Sequence, residues 1–141
     1  MQEPIWIDEK AILSIHSRQL SEHGGGDGVR DAGLLESAIN RAKNLYFYGN
    51  PAPSIEDMAA AYAFGIAKNH PFIDGNKRTA LVACILFLNI NDFDISVTME
   101  DCYIIFLKLA EGMITEAELS AWISENIYDY SKILGHCHPG T

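Results

Sequence analysis

A nine-residue stretch, HPFIDGNKR at residues 70–78, brings several chemically active side chains close together along the chain. It holds one imidazole (His70), one carboxylate (Asp74) and two cations (Lys77 and Arg78), with a Gly-Asn pair before the cations. An almost unbroken apolar run, ALVACILFLNI, follows after one threonine. The stretch therefore joins a polar loop to the start of an apolar helix, and this junction is the candidate functional site.

The start of this helix favours a bound anion. Backbone N–H groups in a first helical turn have no partner within the helix, and the helix dipole also attracts negative charge there. Lys77 and Arg78 lie in that turn, where the dipole disfavours cations unless a polyanion binds beside them. Gly75 permits a tight turn and lets a ligand approach the backbone closely.

Other side chains of the stretch suit group transfer. A carboxylate such as Asp74 beside an anion site is compatible with a bridging Mg²⁺ ion. A neutral imidazole at His70 could take the proton of an attacking hydroxyl, as phosphoryl or nucleotidyl transfer requires. Phe72 is expected to anchor the loop in the core. A structural alternative stays open, in which His70 caps the preceding helix and Asp74 pairs with Arg78.

The elements that position this stretch are predicted to be helices. Apolar residues recur at helical spacing through most of the chain, whereas the alternation typical of strands is scarce. Ser/Thr-x-x-Asp/Glu patterns at Ser54, Thr98 and Thr115 predict helix starts. We predict an all-α fold, a compact single-domain bundle of about six helices, whose central apolar helix runs from about Lys77 to Asn89 and is preceded by the motif loop.

Three polar segments interrupt the helices. HGGGDGVRDAG (23–33) is rich in glycine, and Arg30 and Asp31 could form a pair that pins its turn. YFYGNPAPS (46–54) is a predicted loop, and NDFDISV (91–97) is a loop or a short extended piece. His16 is assigned only to a face of the first helix.

Length and composition limit the class of protein. The 141 residues suit one domain, 1–141, with a core at about 5–126 and a flexible C-terminal tail at about 130–141. A net charge of −9 argues against direct binding of nucleic acid. The longest apolar run is too short to span a membrane. Three widely spaced cysteines and the lack of a secretory signal favour the cytoplasm.

The stretch at 70–78 resembles the signature of the Fic/Doc superfamily. Lys77 resembles the Doc (death-on-curing) branch, whose motif reads His-x-Phe-x-Asp-Ala/Gly-Asn-Lys-Arg, whereas members that transfer AMP usually carry glycine at that position. GGGDGVRDAGLLESAI is similar to the family's glycine-rich turn and second helix, and AAAYAFGIAKNHPF to the helix that leads into the motif. The resemblance covers most of residues 10–125.

The resemblance implies the Fic/Doc fold, ATP with Mg²⁺ as the phosphate donor, and a toxin of a type II toxin–antitoxin system. Such a toxin phosphorylates a threonine of elongation factor Tu and thereby stops translation. Carried over to this chain, it implies that His70 is the general base, that Asp74 is the metal ligand and that Phe72 is structural. The implied phosphate-holding residues are Gly75, Asn76, Lys77 and Arg78.

Two partners are expected. Many members carry an inhibitory Ser/Thr-x-x-x-Glu-Gly/Asn pattern, which this sequence lacks, because Leu107 and Ala121 stand four places before its two Glu-Gly/Asn pairs. We therefore expect a separate antitoxin protein that covers the active-site groove, besides a translation factor as the substrate. The loop Tyr46–Pro53 lies where the family has a flap that aligns the target segment; an ordinary helix connection is the alternative.

Two other functions stay open at this point. One is AMP transfer from ATP to a protein hydroxyl, which uses the same phosphate site with a different phosphorus facing His70. The other is a non-catalytic module that binds a nucleotide or a peptide and has a regulatory role.

Overall fold

Residues 2–131 are described by the structure, which is a computed structural model. Within them the prediction of an all-α bundle of about six helices is confirmed, with one small addition, a pair of three-residue strands, β1 (Phe93–Ile95) and β2 (Ile127–Asp129). Most of the predicted tail, residues 132–141, lies outside the described residues. The helices are α1 (Glu9–His23), α2 (Ala32–Tyr48), α3 (Ile55–Asn69), α4 (Asn76–Ile90), α5 (Met99–Ala110) and α6 (Glu116–Asn126).

Short polar side chains start most of these helices. The predicted capping boxes are complete at Ser54 and at Thr115, where the cap hydroxyl and the third helical residue bond each other's backbone N–H groups. At Thr98 the hydroxyl accepts from the N–H of Asp101, which is one half of a box. In the part of the chain that the structure describes, α4 differs, because its N-cap is Gly75 and no side chain caps it.

The two middle helices form the centre of the molecule. Residues Ala59, Ala60, Ala61 and Ala63 of α3 are fully buried, and Gly65 lies so close to α2 that a Cβ atom there would be 3.0 Å from the Cα atom of Ala38. Helix α4 packs against α1, α3 and α5. Small residues on α3 thus let its neighbours approach, and α4 is held in place at the centre, as its apolar sequence predicts.

The short strands close the far end of α4. They pair antiparallel, with Asp94 opposite Tyr128, so the NDFDISV segment is the short extended piece that was one of its two predicted forms. Among the described residues, no helix is long and apolar enough to cross a membrane.

Candidate active site

The motif loop between α3 and α4 is paired with the glycine-rich turn between α1 and α2. Val29 and Phe72 form an isolated antiparallel bridge. The N–H of Ile73 donates to the carbonyl oxygen of Gly28 at 3.1 Å. The two irregular segments therefore support each other, and the backbone of the loop has partners although it belongs to no helix.

The glycine-rich turn also holds the carboxylate of Asp74. Its Oδ2 atom accepts from the N–H of Gly26 at 3.3 Å, and its Oδ1 atom accepts from the N–H of Gly75 at 3.0 Å. At Gly25 the backbone has φ of +122°, and a Cβ atom there would lie 3.0 Å from Oδ2 of Asp74. Glycine is required at position 25 both by the backbone conformation and by the close approach of the carboxylate.

His70 lies at the exposed end of α3 in a left-handed conformation, with φ of 48° and ψ of 56°. This conformation is uncommon for a residue with a side chain and costs about 1–2 kcal/mol. The guanidinium of Arg30 donates to the carbonyl oxygens of His70 and Asn69 at 2.7 and 2.8 Å. Arg30 thus holds the turn that presents the imidazole.

The predicted pair between Arg30 and Asp31 is wrong. Asp31 instead caps α2, where its Oδ1 atom accepts from the N–H of Leu34 at 3.0 Å. Arg30 was recognised as part of the glycine turn, but its partners lie about 40 residues further along the chain. Spacing along the sequence gives no signal for such a contact.

Asn76 closes the motif loop from inside. The residue is buried, its Oδ1 atom accepts from the N–H of Phe72, and its amide nitrogen donates to the carbonyl oxygen of Phe72, both at 3.0 Å. The same nitrogen lies 3.5 Å from Nδ1 of His70, too far to fix which ring nitrogen carries the proton. Its side chain is therefore used within the loop, and what Asn76 offers a ligand is its backbone N–H in the first turn of α4.

The two cations lie half-buried beside this turn. The guanidinium of Arg78 stands 4.6 Å above the ring of Tyr103 from α5. Its contact with Asp74, which was the structural alternative, is not formed among the described residues. Asp74 binds backbone amides and Arg78 packs on an aromatic ring, so the two charges are held separately.

One cleft of about 560 Å³ unites these groups. Phe72 does not line the cleft; it is 1% exposed and stacks on the ring of His16, with centroids 3.8 Å apart and planes 7° apart. The other residues that the sequence singled out all line the cleft: His70, Asp74, Gly75, Asn76, Lys77 and Arg78.

Sequence reasoning missed His16, which supports the motif loop, and also Gln19 and Tyr103, which line the cleft. His16 is 3% exposed, and its Nε2 atom hydrogen-bonds the backbone carbonyl oxygen of Asp74 at 2.7 Å. The helical spacing of His16 was a usable signal, because it places the residue on the buried face of α1 with Ile12, Ile15 and Gln19. A histidine on the apolar face of a helix needs a polar partner, and here the partner is the motif loop.

The arrangement suits a phosphate-bearing ligand. The uncapped first turn of α4 offers backbone N–H donors, and Lys77 and Arg78 add positive charge in the same cleft. Asp74 offers a carboxylate, and Mg²⁺ in proteins is usually held by one or two carboxylates together with phosphate oxygens. The donor set present therefore fits a magnesium–nucleotide complex, with an exposed imidazole at the edge of the same cleft.

Comparison with known proteins supports the resemblance. Residues 6–88 match the model of the Fic/DOC family. The protein called Toxin Doc from Mycolicibacterium smegmatis is 42% identical over 96 residues, which is 64% of this chain and 72% of that protein. The protein called Protein kinase doc from Escherichia phage P1 is 33% identical over 85 residues, 60% of this chain and 67% of that protein. The chain belongs to the Fic/Doc family, and these relatives place it in the Doc branch.

Proposed function

We propose that this protein is the toxin of a type II toxin–antitoxin system and that it phosphorylates a Ser or Thr hydroxyl of a translation factor resembling elongation factor Tu, with ATP as the donor. One observation carries the proposal: the uncapped start of α4, with Lys77 and Arg78, shares a single cleft with the imidazole of His70 and the carboxylate of Asp74. The printed names of the two relatives, Toxin Doc and Protein kinase doc, support the same class.

The phosphate groups of ATP bind at the start of α4. The backbone N–H groups of its first turn, the ammonium group of Lys77 and the guanidinium of Arg78 supply the positive charge. Asp74 would hold Mg²⁺, and the ion would supply positive charge that neutralises the phosphate groups. Because Gly26 and Gly75 fix the carboxylate of Asp74 from two sides, the metal ligand is oriented before the nucleotide arrives.

His70 acts on the nucleophile. The hydroxyl oxygen of the target attacks the γ-phosphorus of ATP, and its proton passes to the imidazole. The bond between the γ-phosphorus and the bridging oxygen breaks, and ADP leaves with that electron pair. Since His70 is exposed, the side chain of a protein substrate can reach it. Arg30 and Asn76 hold the loop on either side, so the imidazole stays at the edge of the cleft.

An antitoxin protein covers the cleft in this proposal. The cleft is continuous with an apolar groove of about 570 Å³, because His23, Arg78 and Tyr103 line both. Two large side chains in this groove, Met99 and Ile104, are more than half exposed. A partner that lies across both would bury this apolar surface and block the nucleotide. Both the toxin and its substrate would act in the cytoplasm.

Intact mass spectrometry of purified elongation factor Tu, incubated with the protein, ATP and Mg²⁺, tests the activity. The expected result is a gain of one phosphate that is lost with the variant His70→Ala, which melts like the wild type. A gain of one AMP overturns phosphate transfer in favour of AMP transfer. No gain at all, together with intact nucleotide binding, overturns both and favours a binding module.

A further inference from the structure

His16 is a buried titratable group that the mechanism above does not use. Its ring lies between two residues of the motif loop. One face stacks on Phe72 at 3.8 Å between centroids, and a Cβ atom at Gly75 would lie 3.5 Å from its Cδ2 atom. Its Nε2 atom is 2.7 Å from the carbonyl oxygen of Asp74. A carbonyl oxygen only accepts hydrogen bonds, so Nε2 carries a hydrogen and donates it.

This hydrogen bond fixes the orientation of a whole peptide unit. The carbonyl oxygen of Asp74 and the N–H of Gly75 belong to one planar peptide group, and in a trans peptide they point in opposite directions. Because the carbonyl is turned inward to His16, the N–H is turned outward, where it donates to Oδ1 of Asp74 at the cleft. Reversal of this unit would aim a carbonyl oxygen at the ligand.

The peptide between Asp74 and Gly75 could rotate to the reversed orientation, because a glycine follows it. Gly75 has φ of +78°, and a residue without a Cβ atom has a wide choice of backbone conformations. The glycine that the turn needs is therefore also the residue that permits the peptide to rotate. A reversed carbonyl would repel a polyanion at the start of α4, where an N–H group attracts it.

We propose that His16 is a positioning residue that locks the peptide between Asp74 and Gly75, so that its N–H and not its carbonyl faces the phosphate site. The inference rests on the proposed function, because it assumes that a phosphate-bearing ligand binds at the start of α4. It assigns to α1, which carries no residue of the motif, control over the polarity of the anion site.

Two variants separate the hydrogen bond from the packing. His16→Phe keeps a flat ring against Phe72 and loses the donor, whereas His16→Gln keeps a side-chain N–H donor and loses the ring. The probe is a non-hydrolysable ATP analogue with Mg²⁺, and its affinity is measured by titration calorimetry. We expect the Phe variant to bind about tenfold more weakly than the wild type and the Gln variant to bind within about threefold of it.

The opposite order would overturn the inference. If His16 served only to pack, the Phe variant would bind like the wild type and the Gln variant would lose affinity, because it leaves a gap against Phe72. Thermal melting of both variants shows that each is folded under the conditions of the titration. The amide resonance of Gly75 in nuclear magnetic resonance spectra should shift in the Phe variant and stay near its place in the Gln variant.

A further measurement uses the wild-type protein without ligand and therefore does not depend on whether a variant folds. Nitrogen-15 spectra of the His16 ring should show Nε2 protonated, with its hydrogen protected from exchange with water. An Nε2 atom without a hydrogen would overturn the inference even if the Phe variant fails to fold.

These results also separate the inference from the proposed function. If the wild type binds the analogue but modifies no protein, with the Phe variant weaker, the kinase proposal fails and the role of His16 stands. If the wild type phosphorylates its target and the Phe variant binds the analogue equally well, only the inference fails. If the wild type binds no triphosphate, both fail.

Discussion

Helices α3 and α4 are each 15 residues long and pack against each other at the centre, yet they begin in opposite ways. Helix α3 has a complete capping box from Ser54 and Asp57 and acidic residues in its first turn. Helix α4 begins after a glycine with no side-chain cap, and its first turn carries Lys77 and Arg78. At the start of α3, side chains of the helix itself bond the free backbone N–H groups. At the start of α4, the backbone N–H donors and the positive charge stay available to a ligand.

The start of α4 contributes less to the stability of the fold than the start of α3 does. A side-chain cap is worth about 1 kcal/mol, and each charge that opposes the helix dipole costs about 0.3–1 kcal/mol. Tertiary contacts offset this loss at α4, because the helix is buried against three others. A helix start that is poor for folding, inside a well-packed core and next to a cleft, indicates a binding site.

The largest expected effect lies at the exposed end of α3. Exchange of His70 for Ala should lower the rate of the proposed phosphate transfer by about 10²–10⁴-fold, because the proposed general base is lost. Alanine also has a Cβ atom and keeps the left-handed strain at this position, so the melting temperature should change little. Transfer rates are measured with labelled ATP and purified elongation factor Tu. An unchanged rate would mean that the end of α3 has no catalytic part.

The next effect concerns the charge at the start of α4. Exchange of Lys77 for Glu should weaken binding of the magnesium–ATP analogue about tenfold to hundredfold, while the helix dipole raises the free energy of unfolding by about 0.5–1 kcal/mol. Calorimetry and urea unfolding measure the two quantities. Affinity and stability should therefore move in opposite directions, which is the behaviour expected of a ligand site.

A matched control for this charge reversal is Lys108→Glu. Lys108 is exposed in the last turn of α5 and does not line the cleft, so its reversal should leave the affinity unchanged and lower stability slightly. Equal losses of affinity in both variants would show that Lys77 acts only through the net charge of the protein.

A change at the start of α3 should lower stability and leave the affinity for the analogue unchanged. Exchange of Ser54 for Ala removes the cap and should lower the free energy of unfolding by about 1 kcal/mol. Binding of the analogue should not change, because Ser54 and Asp57 lie outside the cleft. Urea unfolding and calorimetry on the same preparation measure both. A loss of affinity similar to that of Lys77→Glu would remove the distinction between the two helix starts.

The smallest effect is a pH dependence at the same cap. Burial raises the pKa of Asp57, but the hydrogen bonds from Ser120 and Ser54 lower the pKa by more than burial raises it. The pKa of Asp57 therefore lies below its ordinary value. A lowered pKa means that Asp57 stabilises the fold above its unfolded-state pKa, near 3.9, and that this contribution is lost as pH falls through the folded-state pKa.

Melting curves at decreasing pH measure this contribution. The acid-induced fall in stability should be smaller in Asp57→Asn, which cannot change its charge, than in the wild type. An identical pH profile in the two proteins would mean that the carboxylate of Asp57 contributes nothing beyond its shape.

The helices and the motif could be predicted from the sequence because both are local. Capping boxes depend on residues three apart, and α4 was predicted from Lys77 to Asn89, within one residue of its observed bounds at each end. The motif residues that line the cleft could be found because they all lie within residues 70–78. Asn76 was grouped with the phosphate-holding residues, since no pattern shows whether an amide side chain faces a ligand or its own loop.

The supports of the site could not be predicted in this way. Arg30 bonds a carbonyl 40 residues away, and His16 bonds one 58 residues away. Such contacts depend on how the helices pack, and a bond to a backbone carbonyl leaves no mark in the partner's residue type. The reactive side chains of the motif could therefore be identified from the sequence. The contacts by which α1 and the glycine-rich turn hold the motif loop are visible only in the structure.

The contact between Arg78 and Tyr103 has a consequence for synthesis on the ribosome. The cleft is lined by Gln19 and His23 of α1, by the motif loop and by Tyr103 of α5, so it is complete only after α5 has left the exit tunnel. A nascent chain that ends before α5 carries the whole motif without the aromatic wall against which Arg78 packs. The binding cleft would thus form only after the ribosome has synthesised α5 and released it from the tunnel.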